Sequence, residues 1–153
     1  MKIKLFKNVQ LPKKSHLPDS GLDCFMPESF ELKPLETKTI GLGIGIQVPE
    51  GFAGMLVPRS SIAEKGLLIQ TSIIDPDYTG EIHLIITNCS NNNVVIEKNQ
   101  RVCSLVVYNV LNVRLDIVYD FEQTDRGNNG LGSTGKWQTK KFKIKQQKLY
   151  SNL

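Results

Sequence analysis

The chain has 153 residues, 40% of them hydrophobic, and a formal charge of +4. That length suits one domain with its own core, and the composition excludes a chain disordered throughout. No run approaches the roughly 20 apolar residues needed to span a bilayer. Met1-Lys2-Ile3-Lys4-Leu5 enters a strand pattern with no signal-peptide core behind it, so a cytoplasmic or comparable reducing compartment without a membrane partner is expected. The charge is uneven. Six lysines and no acids follow from Lys136 onward, which leaves 13 basic and 15 acidic residues before it, a body of −2 and a tail of +6. A basic tail on a slightly acidic body argues against nucleic acid as the main partner.

Three cysteines, Cys24, Cys89 and Cys103, are far apart and form no CxxC or Cys/His cluster of zinc spacing. Each sits in an apolar run and is expected as a buried, inert thiol. The two histidines are too scattered for a metal site.

Along the chain the apolar period is that of strands. Ile3–Phe6 opens the series, followed by Asp19-Ser20-Gly21-Leu22-Asp23-Cys24-Phe25, read as a turn that delivers an aspartate before an apolar pair. Strands are expected at Phe30–Leu32, ahead of the Pro34 turn, at Lys38–Leu42 and at Gly45–Val48, which stops at Pro49. Gly54–Val57 ends at Pro58, and Ser60–Lys65 is the one segment suited to a helical turn, with Ser60 or Ser61 able to cap it. Within Val57–Gly66, Arg59 offers a planar fork of donors to phosphate oxygens, and the Ser60 and Ser61 hydroxyls can add to it. A capped turn with a surface arginine is the plainer reading.

Ile73-Ile74-Asp75-Pro76-Asp77-Tyr78-Thr79-Gly80-Glu81 reads as a tight hairpin that could present a carboxylate and a ring to a ligand, although its residues are also ordinary turn chemistry. Glu81–Thr87, Asn93–Ile96, Val102–Val110 and Val113–Val118 complete the strands. Many short strands with Gly, Pro and Asn between them imply an all-β sandwich, jelly roll or barrel. After Phe121 the apolar period stops. Arg126–Gly135 holds four glycines, two hydroxyls and an arginine, which suits either a loop closing over phosphates or a plain linker. It is not a Walker loop, because GxxxxGK[ST] is absent. The domain boundaries follow as a β domain over 1–122, a glycine-rich arm over 123–136 and a basic tail over 137–153.

In order, these segments resemble the five motifs of the homotrimeric dUTPase family. Ser20-Gly21-Leu22-Asp23 is similar to the first, Pro58-Arg59-Ser60-Ser61 through Lys65-Gly66 to the second, and Ile74–Glu81 to the third. Lys98-Asn99-Gln100-Arg101-Val102-Cys103-Ser104-Leu105 is a degraded fourth, and Arg126–Gly135 resembles the fifth. The resemblance implies a dUTPase-like jelly-roll or β-clip barrel with a flexible C-terminal arm, in a homotrimer whose active sites are shared among the chains. It implies hydrolysis of dUTP to dUMP and pyrophosphate with Mg2+, by water attack on the α-phosphorus.

By position, Asp75 would orient and activate that water, with positioning contributing more than proton abstraction. Tyr78 would lie flat on the deoxyribose and leave no room for a 2′-hydroxyl, while the backbone from Ile73 and Ile74 to Tyr78 would read the uracil edge. Arg59, Ser60 and Ser61 would hold phosphates, and Asp23 would act on the metal through water. Arg126, Leu131, Gly132, Ser133 and Thr134 would close over the nucleotide.

Four positions depart from the family. Leu131 replaces a phenylalanine that stacks on the base, a contact worth roughly 1–3 kcal/mol in related systems. Ser104 replaces a glutamine, Ser72 a glycine and Ile69 an asparagine. A second reading is a dUTPase-fold binding or regulatory module with weak or lost catalysis, and a third is a related deoxynucleotide hydrolase with altered base choice. The basic tail could add a strand, touch a neighbour, contact nucleic acid or be a solvated extension.

Overall fold

The computed structural model describes residues 1–130. They divide into a compact unit, Met1–Val113, and a second unit that begins at Arg114. The first is built from strands β1 (Lys2–Leu5), β2 (Gly21–Phe25), β3 (Phe30–Leu32), β4 (Thr37–Gly41), β5 (Ile44–Gln47) and β6 (Phe52–Pro58). One helical turn, α1 (Ser60–Ala63), separates these from β7 (Leu67–Ile69), β8 (Ser72–Ile74), β9 (His83–Asn88), β10 (Val94–Ile96) and β11 (Arg101–Asn109).

Every strand pair is antiparallel. The strands run in the order β2-β11-β6-β8 in one sheet and β4-β9-β7 in another, with the ribbons β1-β5 and β10-β3 beside them. Consecutive strands never pair with each other and always fall in different sheets, the crossing connectivity of a jelly roll. Alternation explains the layering. Along β9, Leu84, Ile86 and Asn88 point inward while their neighbours do not, the period of two of a strand with one buried face. Leu32, Leu56, Leu84, Ile86, Ile96, Val102 and Leu105 share one core with Met26 and Ile62. Each large side chain buried there contributes roughly 1.5–3 kcal/mol.

Asn88 is a fully buried polar residue beside that core. Its amide donates to the carbonyls of Leu32 (3.0 Å) and Asn92 (2.8 Å), and its oxygen accepts from Ser90 N–H (3.0 Å) and Oγ (2.7 Å). These bonds close the Asn88–Asn92 turn and swing Cys89 out to solvent, so Cys89 is exposed, whereas Cys24 and Cys103 are buried as expected. Cys24 and Cys103 face each other across β2 and β11. The Cys24 thiol beside it, together with burial, pushes the Cys103 thiol far above its ordinary range.

Four further expectations are corrected. Gly21–Phe25 is a strand rather than a turn, because all five of its residues pair with β11, across one bulge in that partner. Val113–Val118 forms no strand: an alternating segment needs a partner ladder, and no described strand pairs with it. Leu115 and Ile117 are exposed accordingly. Neither Ser60 nor Ser61 caps α1; the cap position is Arg59, in extended conformation and without a side-chain cap bond. Ile62, 1% exposed, anchors the turn instead, and Gly66, at φ +74°, ends it. Finally, Asp75–Glu81 is a turn but not a hairpin. β8 before it pairs with β6, and β9 after it pairs with β4 and β7, so the turn crosses between sheets.

Candidate functional site

Asp23 sits in the middle of β2, 6% exposed, directly opposite Ser104 of β11. Four donors converge on its carboxylate. Oδ1 accepts from the Arg59 guanidinium and from Ser104 Oγ (2.9 Å). Oδ2 accepts from Ser15 Oγ (2.9 Å) and Arg101 Nη1 (3.1 Å), and the same Arg101 nitrogen donates to Ser15 Oγ (2.6 Å). Burial alone raises this carboxyl, but the donors from Arg59, Ser104 and Ser15 outweigh it and hold the group below its ordinary value.

The cluster opens into a cleft of about 480 Å³ that also includes His16, Asp19 and Gly21. Asp19, at its rim, is turned back onto the His16 backbone N–H (2.7 Å). Two guanidiniums against one buried carboxylate make the floor of this cleft suited to an anion with several oxygens.

The acceptor capacity of Asp23 bears on a metal. A carboxylate has about four lone-pair sites, and all four are filled while both arginines stay in place. Among the described residues no group of three His, Cys, Asp or Glu side chains could hold a metal ion. A directly bound cation therefore does not fit this arrangement. A water of a hydrated cation fits Asp23 once Arg59 is drawn away.

A second cleft, about 240 Å³, lies at the β8–β9 crossing and is walled by Ile73, Ile74, Ile82 and Ile85. Asp75, Tyr78 and His83 stand around it. Pro76 presets the backbone for the turn, which closes when Tyr78 N–H donates to the Asp75 carbonyl (3.1 Å). Asp75 is exposed, and its carboxylate has no bonding partner among the described residues. The Tyr78 hydroxyl donates to the Glu81 carbonyl (2.6 Å), which lays the ring along the turn. An apolar slot with a free carboxylate and an aromatic face suits a nucleoside.

The two clefts share no lining residue. Ile74 is paired with Gly54 of β6, so Asp75 stands level with Ala53, while Arg59 follows the far end of the same strand. Six residues at about 3.3 Å each place the two roughly 20 Å apart.

A family model described as dUTPase matches residues 7–135. The chain belongs to the dUTPase family. It is 37% identical over 136 residues to the deoxyuridine 5′-triphosphate nucleotidohydrolase of Hydrogenobaculum sp. (strain Y04AAS1), covering 86% of this chain and 94% of that one. The enzyme of the same name from Clostridium novyi (strain NT) is 35% identical over 128 residues, covering 82% and 90%. Among solved structures, the Staphylococcus bacteriophage 80alpha dUTPase with dUPNHPP superposes with a TM-score of 0.83 at 29% identity, covering 88% of this chain and 97% of that one.

The dUTPase fold thus brings Asp23 and Arg59 together in one cleft, and Ile73, Ile74, Asp75 and Tyr78 in another. Ser60 and Ser61 are exposed at the start of α1, next to Arg59. Arg126 belongs to the second unit, where its Nε donates to the Asn129 carbonyl (3.1 Å) in a turn. Leu131, Gly132, Ser133, Thr134 and the basic tail lie outside the described residues. Among the departures from the family, Ile69 is a core residue paired with Ile86, and Ser72 pairs with Leu56 on β6.

Sequence reasoning passed over Arg101 and Ser15. Arg101 and Ser104 are an odd number of positions apart, which in a regular strand puts them on opposite faces. A β-bulge between Arg101 and Cys103 shifts the register and turns both onto Asp23. Ser15 arrives because Lys13 bridges to Asp23 through two backbone bonds, 2.8 and 3.2 Å. The available signal was Ser104 itself, a lone hydroxyl inside the apolar run Val102–Val107.

Proposed function

We propose that this protein hydrolyses dUTP to dUMP and pyrophosphate, in the cytoplasm, at sites assembled between copies of the chain. The observation that carries this reading is the division of a nucleotide's two chemistries between two clefts of one subunit. The isoleucine-walled slot with Asp75 and Tyr78 suits a deoxynucleoside, and the arginine cleft suits phosphates. A separation of roughly 20 Å along β6 is too long for one triphosphate to reach both within a single chain. A second copy must therefore supply Arg59, Ser60 and Ser61 opposite Asp75. A closed cyclic assembly does this for every subunit at once, and a homotrimer is the form we infer.

In such a site the nucleoside enters the slot, Tyr78 covers the sugar, and the backbone around Ile73 and Ile74 faces the base. Asp75, exposed and unpaired among the described residues, orients a water in line with the α-phosphorus and accepts its proton as the bond to the leaving pyrophosphate breaks. Arg59 and Arg101 take up phosphate charge. Arg59 would release Asp23 on turning to a phosphate, and Asp23 would then be free to hold a hydrated Mg2+ through one of its waters. The ion supplies charge neutralisation on the triphosphate. Arg126, Leu131, Gly132, Ser133 and Thr134 are the further residues we assign to nucleotide binding.

Pyrophosphate release from dUTP, dCTP, dTTP and UTP with magnesium tests the reading. The expected result is turnover of dUTP far above the other three. Absence of dUTP turnover, with nucleotide still bound, would favour a binding module instead.

A further inference from the structure

Four described glycines adopt positive φ: Gly43, Gly51, Gly66 and Gly127. Gly80 is not among them, so its backbone does not require glycine. What requires it is space. A Cβ at Gly80 would lie 2.7 Å from the Tyr78 hydroxyl oxygen, 2.8 Å from Cζ and 3.1 Å from Cε2, all inside ordinary contact distance. The tip of the tyrosine ring occupies the volume that any other residue at position 80 would fill.

The ring is held at the same tip by its hydroxyl bond to the Glu81 carbonyl, 2.6 Å. Glu81 is itself fixed. Its Oε1 accepts the Gly43 N–H (2.8 Å), and its carboxylate packs where a Cβ on Gly41 would stand, 2.3 Å from Oε1. The Gly80 carbonyl in turn is pressed against β5, 2.7 Å from the position of a Cβ on Gly45. A row of close approaches thus runs from the β4–β5 turn through Glu81 and Gly80 to one edge of the Tyr78 ring. Tyr78 remains 43% exposed.

We propose that Gly80 is a positioning residue for sugar selectivity: its missing side chain seats Tyr78 against the Glu81 carbonyl, so that the ring cannot yield to a ribose 2′-hydroxyl. The inference rests on the functional reading above, in which Tyr78 covers the deoxyribose. A ring anchored only at Cβ would give way by the fraction of an ångström that one more oxygen needs. A ring locked at its tip excludes that oxygen. Because the nearest atoms to a Cβ at position 80 belong to a side chain and not to backbone, Gly80→Ala displaces the ring and leaves the fold of the turn in place.

The test compares kcat/KM for dUTP and UTP in wild type, Gly80→Ala and Tyr78→Phe, together with the Tm of each. Gly80→Ala should lower the dUTP-to-UTP ratio at least tenfold, and Tyr78→Phe, which removes only the tethering hydroxyl, should lower it severalfold. General damage to the turn would reduce both substrates together and leave the ratio unchanged, and an unchanged ratio in a folded Gly80→Ala protein overturns the proposal. Should Gly80→Ala not fold, an unchanged ratio in Tyr78→Phe overturns it equally. A wild-type protein that does not distinguish dUTP from UTP would instead remove the functional reading on which the proposal stands.

Discussion

Asp23 precedes the apolar pair Cys24-Phe25 and Asp75 follows the apolar pair Ile73-Ile74, and the fold treats the two in opposite ways. Asp23 is buried in mid-strand with every acceptor site filled by Arg59, Ser104, Ser15 and Arg101. Asp75 is exposed at the crossing between two sheets, with no partner among the described residues. A carboxylate held by two guanidiniums is a brace: it fixes the arginines and has no lone pair left to take a proton. A free carboxylate beside a slot can orient water. The contrast supports the proposed division, with Asp23 in the binding architecture and Asp75 in the chemistry.

The largest expected effect comes from Asp75→Asn, which should lower kcat by roughly 10²–10⁴-fold, the range for loss of a positioned base. Its dUTP affinity and its urea midpoint should stay near wild type, because nothing in the described residues leans on that side chain. Asp23→Asn should behave the other way. It leaves Arg59 and Arg101 facing each other without a counter-charge, and it should cost about 2 kcal/mol of stability, read by urea unfolding at fixed protein concentration. A stable but slow Asp23→Asn protein would break the comparison.

The smallest effect is in pH dependence. The Asp23 carboxyl is held below its ordinary value in the folded protein, so its contribution is fully present above the ordinary carboxylate value of about 3.9. It is lost as pH falls through the lower folded value. The stability difference between wild type and Asp23→Asn should therefore be constant near neutrality and shrink on acidification. A difference that instead grew below pH 4 would contradict the paired state of Asp23.

Much of the fold was legible because an apolar period of two is a local property. β3 matches its expected bounds, and β1, β4, β5, β6, β9, β10 and β11 fall within two residues of theirs at each end. What escaped was non-local. β2, β7 and β8 are too short or too interrupted to show a period, and they exist because longer neighbours pair with them. The reverse failure is Val113–Val118, where the period is present and the partner is not.

In the site, Arg59 was visible as a residue type suited to phosphate, and Asp75 and Tyr78 as a carboxylate and a ring that a turn could present to a ligand; their expected work on water and sugar came only from the family resemblance. Arg101 was not, because the bulge that turns it onto Asp23 has no signature in sequence. The separation of Arg59 from Asp75 was likewise hidden until β8 was found in register on β6.

That separation gives the most direct test of the account. Arg59→Gln and Asp75→Asn should each be inactive alone, since each destroys every site. When the two variants are unfolded together and reassembled, mixed assemblies join an intact Asp75 from one copy to an intact Arg59 from another. In a mixed trimer one of the three sites should be whole, so dUTP turnover should return to about a third of wild type at most. Activity that stays at the level of the separate variants, with mixed assemblies shown to form, would place Asp75 and Arg59 of the same chain in one site and contradict the account.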